Sequence, residues 1–364
     1  MIFRLRFIAI VTQAVFLSAF SFAQTKYAVG TCQPKLTFYA TISQAVSSVP
    51  SGATIEVCPG KYPEQVLITQ PLTLEGIAVG SSDAAAVTVP SGGLTQNVSD
   101  PTVGAVYYQI LVQTTGPVNI SNLVVDGTNG SGPSGTVAGI FYQDASGTVN
   151  DASARNQTNS AQGMGVLVTT TAAATQTVTV ENSVVRGFDN LGIYGVSGAG
   201  AGTVTANLKT NTIDGAGIGQ SGIYINSAAG AIQSNVITGV PVGLHLRLST
   251  VSATANIIST PEVAVEVLGG SNTIKTNHLD AGGDYGVLLN GTATSSVIES
   301  NTIVNSGFAV YGCSGGNFPG PAASGFTVTG NTITDADEGV DMPSGNTFAP
   351  NTFHATGGEV GGCN

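Results

Sequence analysis

The chain has 364 residues, of which only 9% are charged, and its formal net charge at pH 7 is −11. An acidic chain of this kind disfavours nucleic acid and anionic membrane surfaces as partners. Low charge with few aromatic residues can signal disorder, but β-branched residues recur here in register, which a disordered chain does not require. The length fits one long domain or two ordinary ones.

Residues 1–23 have the features of a secretory signal peptide. Arg4 and Arg6 form a basic start, and small residues ending at Ala23 provide a cleavage site. The apolar segment between them, residues 7–20, is shorter than the roughly 20 residues that a membrane-spanning helix needs. We therefore expect a secreted or periplasmic protein that keeps no membrane insertion after cleavage. The mature chain then has eight basic and 21 acidic residues, a formal charge of −13.

An internal repeat follows in chain order and is the strongest signal. Its first phrase is Asn, any residue, then an aliphatic residue. It begins at Asn122, Asn182, Asn211, Asn235, Asn256, Asn277, Asn301 and Asn331. A second phrase follows most of these: a small residue, an aliphatic residue, any residue and often another apolar one. It begins at Gly222, Gly243, Ala264, Gly286 and Gly339.

Both phrases alternate with period two, which predicts short strands with one buried face. No helical periodicity separates them. Strands that recur every 21 to 24 residues without helices indicate a coil in which neighbouring turns bury a shared core. The predicted fold is an all-β solenoid, a single-stranded right-handed parallel β-helix. We interpret the Asn column as a structural stack of side-chain amides.

The domain is expected to span residues 24–364. Within the N-terminal cap, 24–52, apolar residues from Ile42 to Val49 have helical spacing and predict a short capping helix. Segments 77–110 and 126–162 match the repeat poorly and are interpreted as loop insertions. Residues 340–364 are assigned to a C-terminal cap.

The segment from Ala40 to Gly76 resembles the N-terminal turn of the pectin-lyase-like β-helix superfamily, with a Gly60-x-Tyr62-x-Glu64 phrase similar to that of pectin methylesterases. The resemblance implies a right-handed β-helix and a polysaccharide partner. The catalytic phrases of pectin methylesterases, polygalacturonases and pectate lyases are missing, and the chain has no Trp. The resemblance therefore carries over no catalytic residue.

Four cysteines in an exported chain suggest disulfides, and four allow three pairings. About ten turns at about 4.8 Å separate the ends of the predicted rod by some 45 Å. Bridged cysteines need Cα atoms within about 7 Å. The predicted bridges are therefore Cys32–Cys58 and Cys313–Cys363.

The residue after the inward aliphatic of the second phrase should point outward. That column predicts a glycan-binding strip on consecutive turns, with aromatic, cationic and carboxylate groups that suit sugars. The strip consists of Tyr194, Tyr224, His245, Arg247 and Glu266. The alternative is an ordinary solvent-exposed strand face on which His245 and Glu266 form a cross-strand polar pair. His245 and Glu266 could also act as a base and its orienting partner.

Two acidic sets are further candidates. One set, a possible Ca²⁺ site or a solvated turn, comprises Asp335, Asp337, Glu338 and Asp341. The other, Asp280 and Asp284, is a possible carboxylate pair for glycoside hydrolysis. His278 and His354 are read as surface residues. No cofactor is predicted, because no metal-ligand spacing, phosphate loop or nucleophile elbow is visible.

These observations favour a secreted β-helix protein that binds an extracellular polysaccharide and could also process it. Two alternatives stay open: a non-catalytic structural or adhesive surface protein, and a polysaccharide lyase or glycoside hydrolase with unrecognised catalytic residues.

Overall fold

The computed structural model describes residues 25–77, 85–128, 135–158, 162–314 and 321–363. The signal peptide predicted for residues 1–23 lies outside these ranges. No helix within them is long and apolar enough to cross a membrane.

The strands form three stacks along a right-handed parallel β-helix, which confirms the predicted fold. Most turns place one strand in each stack, because short period-two segments are separated by tight corners. The first stack comprises Lys26–Val29, Thr37–Tyr39, Thr54–Val57, Leu72–Gly76, Val118–Ser121, Gly147–Asn150, Gln176–Glu181, Val204–Lys209, Ala229–Gln233, Thr273–Lys275 and Ser324–Thr329. The second comprises Gly60–Pro63, Ala85–Thr88, Val124–Asp126, Ser153–Arg155, Val184–Arg186, Thr212–Asp214, Val236–Thr238, Ile257–Ser259, His278–Asp280 and Thr352–His354.

The third stack carries the predicted strip. It comprises Val66–Ile68, Gly104–Val112, Thr136–Gln143, Gly163–Thr170, Leu191–Ser197, Ser221–Asn226, Val263–Gly270 and Gly358–Gly361. Long strands turn the corner between stacks. Val242–Thr254 and Tyr285–Glu299 run from the third stack into the next first-stack position. Thr302–Tyr311 and Thr332–Asp341 run from the second stack into the third.

The core fills the inside of the coil with aliphatic side chains that repeat from turn to turn. In the third stack Ile223, Leu244 and Val265 lie opposite one another and are fully buried. Ile237 and Ile258 do the same in the second stack. Each such side chain contributes about 1.5–3 kcal/mol when it is buried, so neighbouring turns stabilise one another.

A buried ladder of asparagines runs along one corner, as predicted. Its members are Asn211, Asn235, Asn256, Asn277, Asn301, Asn331 and Asn351. Each of these side chains from Asn211 to Asn331 donates through Nδ2 to the Oδ1 of the next member and to a backbone carbonyl. Asn182 and Asn122, which the repeat placed in this column, each precede the ladder position by one residue. Both have left-handed backbone conformations, at φ 50° and 51°. Asn tolerates that conformation better than most residues, which explains the shifted phrase.

The predicted capping helix is Ile42–Ser48, and its side chains Ile42, Ala45 and Val46 are buried against the first turns. The carboxylate of Glu64 accepts hydrogen bonds from the backbone amides of Ile42 and Ser43, at 2.9 and 2.8 Å. The Gly60-x-Tyr62-x-Glu64 phrase thus attaches the cap to the coil.

Both predicted disulfides are present. Cys32 bridges Cys58, and Cys313 bridges Cys363. Each bridge lies at one end of the rod, as expected from the distance between the two ends.

The interpretation of residues 126–162 as a loop insertion is wrong. The described part of this segment forms Thr136–Gln143, Gly147–Asn150 and Ser153–Arg155, one strand in each stack. Its turn fits the coil without the Asn phrase, because Ala152 takes the ladder corner position and bonds through its backbone amide to Ser183 Oγ.

Segment 77–110 is likewise only partly a loop. Ala85–Thr88 is an ordinary second-stack strand, paired with Gly60–Pro63 and Val124–Asp126. Residues 89–103 leave the stack, and within them Asn97–Asp100 folds back antiparallel onto Gly104–Val112. We call residues 97–107 the hairpin. At the other end, 340–364 adds a last partial turn through Thr352–His354 and Gly358–Gly361.

Candidate functional site

The strip forms on the outer face of the third stack because alternate residues of each strand point inward. Ile193, Ile223, Leu244 and Val265 fill the core, and the residue after each one points out. Parallel pairing without register shift then aligns those outward residues. Tyr194 lies opposite Tyr224, Tyr224 opposite His245, and His245 opposite Glu266.

The rings of the strip stack on one another along the rod. The centroids of Tyr194 and Tyr224 are 4.9 Å apart with planes 13° from parallel, and those of Tyr224 and His245 are 4.1 Å apart at 20°. Both faces of the Tyr224 ring are therefore covered by neighbours. A ligand lying across the strip meets ring edges and polar atoms, not the open aromatic faces that the sequence suggested.

His245 and Glu266 are both half-buried, and burial acts on them in opposite directions. It lowers the pKa of His245 to about 4, and the nearby charge of Arg247 acts in the same direction. Burial raises the pKa of Glu266. His245 Nε2 lies 3.6 Å from Glu266 Oε2 and makes no hydrogen bond to the described residues. Near neutral pH the imidazole is neutral, and its Nε2 is a buried nitrogen that no described residue bonds.

Arg247 extends from the same strand as His245, two residues further along, and is exposed. Its neighbours in register are Asn226 and Leu268. Within the described ranges no ion pair engages its guanidinium. A cation of this kind can bind a carboxylate with two parallel hydrogen bonds.

Tyr194, at the upstream end, is only 8% exposed. The outward residues of the preceding turns, Phe141 and Leu167, are fully buried and form an apolar cluster with Tyr194. Val98 and Val103, in the hairpin, pack against that cluster. The accessible part of the strip therefore begins at Tyr224, and Tyr194 serves mainly as its packing support.

A buried carboxylate holds the hairpin in place. Asp100 accepts hydrogen bonds from Gln143 Nε2 at 2.9 Å and Thr169 Oγ1 at 2.6 Å, on two neighbouring turns. Its other oxygen accepts the backbone amide of Thr102 at 2.8 Å. Sequence reasoning missed this residue, since nothing in the phrase around Asp100 shows that it folds back over the strip.

The other candidates are not assembled into comparable sites. Within the described residues no group of three or more His, Cys, Asp or Glu could hold a metal ion, so the suggested Ca²⁺ site is not formed by Asp335, Asp337, Glu338 and Asp341. Asp280 Oδ1 accepts from Gly282 N and Asn305 Nδ2, which gives it a role in its turn.

Comparison with known proteins agrees with this architecture. A family model described as periplasmic copper-binding protein (NosD) matches residues 190–357. No curated protein sequence matches the chain. The A-module of the Azotobacter vinelandii mannuronan C-5 epimerase AlgE4 is similar, with a TM-score of 0.61, 14% identity, and coverage of 87% of this chain and 90% of that module. The AlgE6 A-module of the same organism has a TM-score of 0.52, 15% identity, and coverage of 88% and 89%.

The fold therefore defines the class: a right-handed parallel β-helix protein. Identities of 14% and 15% show the shared fold alone. The copper-binding description belongs to the matched family. The described residues here offer no three-ligand group for a metal, and all four cysteines are in disulfides.

Proposed function

We propose that this protein is exported and binds an acidic extracellular polysaccharide across the accessible strip Tyr224, His245, Arg247 and Glu266. The observation that carries the proposal is the placement of an exposed Arg beside a neutral His and a half-buried Glu on adjacent turns. Strands about 4.8 Å apart present these groups in a row along the rod, which suits an extended chain of sugars.

Each group has a distinct task in this proposal. Arg247 binds a uronate carboxylate, and the neutral ring of His245, whose Nε2 atom is buried, forms part of the surface beneath the sugar. Glu266 accepts from a sugar hydroxyl, and Tyr224 holds the imidazole in place by stacking. A neutral His beside a carboxylate also has the acid–base character that processing of a bound chain would require.

The shared fold supports a polyuronate as the first ligand to test, since the similar epimerase modules are named for mannuronan. The mature chain is strongly acidic, so its affinity for a polyanion must come from a local cation. Arg247 is the basic residue within the strip.

Binding of the mature protein to polymannuronate, polygalacturonate and neutral glucans on an array tests the proposal. Arg247→Ala should weaken polyuronate binding more than tenfold, because a hydrogen bond to a charged group contributes about 1.5–3 kcal/mol. Lys209→Ala makes the same charge change on the first stack and should bind like the parent. Unchanged binding by Arg247→Ala, or preference for a neutral glucan, contradicts the proposal.

A further inference from the structure

A shallow hollow of about 220 Å³ opens beside Arg247, at the corner where the third stack ends. Leu248 and Pro321 line its sides, and Leu268 lies next to Arg247 in register. The hollow is therefore mostly apolar, with a cation at one edge.

Leu248 has an unusual conformation for its residue type. It occupies the left-handed region at φ 47°, and its side chain is 62% exposed. The same corner position is Ser227 on the preceding turn and Gly269 and Gly291 on the next two, all with positive φ. Branched apolar residues are disfavoured in that region, and the exposed side chain of Leu248 gains little burial to offset the strain. Strain of this kind points to a function for the side chain.

The two glycines leave the space that forms the hollow. A Cβ atom at Gly269 would lie 3.5 Å from Leu248 Cδ2, and one at Gly291 would lie 3.8 Å from Pro321 Cγ. A side chain at Gly269 would pack against Leu248, and one at Gly291 would extend toward Pro321 on the other side of the hollow. The chain thus combines an exposed leucine with a neighbouring glycine that keeps its surface open.

We infer that the hollow receives a short acyl substituent, an acetyl ester, on the acidic sugar whose carboxylate Arg247 binds. The inference rests on the proposed function and adds the substituent to it. The acetyl methyl would contact Leu248 and Leu268. Asn290 and Thr292, which also line the hollow, can donate hydrogen bonds to the ester carbonyl. Because Asn290 and Thr292 can bond a carbonyl oxygen, the hollow suits an acetyl ester better than a plain methyl group.

The test compares polymannuronate of one chain length after chemical O-acetylation and after removal of the esters by mild alkali. The parent should bind the acetylated polymer about fourfold more tightly, the effect of burying one methyl-sized group. Leu248→Asn should bind both polymers equally, with the affinity of the parent for the deacetylated one. Because Asn tolerates positive φ, this variant should be at least as stable as the parent in urea.

A control variant, Ile257→Thr, removes a side chain that is also exposed, at 51%, but lies on the second stack. It should keep the preference for the acetylated polymer. Equal binding of both polymers by the parent, or a preference retained in Leu248→Asn, overturns the inference while the proposed function stands. Failure of the parent to bind either form of polymannuronate overturns the inference, and if polygalacturonate is also not bound on the array, the proposed function is overturned with it.

Discussion

Glu266 lies directly beside His245, one turn further along the rod, with 3.6 Å between Oε2 and Nε2. Burial lowers the pKa of the imidazole to about 4 and raises that of the carboxyl. The stability of the folded protein therefore depends on pH through both residues, and acidification affects the two contributions in opposite directions.

Replacing His245 should reduce the sensitivity of the fold to acid. Between its ordinary pKa of 6.5 and its folded value of about 4, the unfolded chain holds more protons on this residue than the folded one. Stability is therefore lost as pH falls through that range. His245→Gln should lose less stability than the parent between about pH 7 and about pH 4.5, by at most roughly 2 kcal/mol. Urea unfolding midpoints at both pH values measure the difference.

Glu266→Gln should have the opposite effect. The raised pKa means that the folded state holds more protons above the ordinary value of 4.5, so this carboxyl favours folding as pH falls. Its removal should make the variant lose more stability on acidification than the parent. His278→Gln, at an exposed position, is the control and should follow the parent. Equal pH dependence in all four proteins would refute the coupling.

Asp100→Ala should release the hairpin from the strip. The hydrogen bonds that its carboxylate accepts from Gln143 and Thr169 are buried, and a hydrogen bond to a charged group contributes about 1.5–3 kcal/mol. We expect the free energy of unfolding, measured in urea, to fall by about 3 kcal/mol. Proteolysis within residues 89–103 should be faster, and the uncovered apolar cluster should bind a hydrophobic dye. Asp100→Asn keeps an acceptor and should be affected less. Unchanged proteolysis in the Ala variant would show that apolar packing alone holds the hairpin.

Asn256→Ala should be costly although it removes only a small side chain. Asn256 Oδ1 accepts from the backbone and side-chain amides of Asn235, and its Nδ2 donates to Asn277 Oδ1. A buried polar group left without a partner costs about 1–3 kcal/mol. The free energy of unfolding of Asn256→Ala, measured in urea, should therefore be about 2–4 kcal/mol lower than that of the parent. Asn182→Gly, outside the ladder and exposed, should cost less than about 1 kcal/mol. Similar losses in the two variants would argue against the ladder.

Glu64→Ala should loosen the N-terminal cap. Two helix amides lose their acceptor, which should cost about 1–3 kcal/mol, while Glu64→Gln should retain part of the stability. Chemical unfolding and amide exchange at Ile42 and Ser43 measure the effect. Glu359→Ala, an exposed carboxylate near the other end, should change stability by less than about 0.5 kcal/mol. If exchange at Ile42 and Ser43 is unaltered by Glu64→Ala, the cap does not depend on this residue.

The strip could be predicted because its neighbours are set by two short-range rules. A period-two strand places the residue after Leu244 on the outer face, and in-register parallel stacking places it beside its counterpart on the next turn. The same rules located the ladder from Asn211 to Asn331 and restricted the disulfides to the two ends. The rules failed where the Asn phrase is shifted, as at Asn182, or missing, as in segment 126–162, because strands of this coil also form without that phrase.

The sequence by itself therefore determined the coil, its cap and the order of groups along the outer column, because each depends on spacing within one turn. Only the tertiary structure decided which of those groups a ligand can reach. The hairpin packs against the apolar cluster that includes Tyr194. The rings of Tyr194 and His245 cover both faces of Tyr224, and Gly269 leaves the space beside Leu248 open. Burial of a side chain depends on segments distant in sequence, and no local pattern encodes where such a segment returns to the surface.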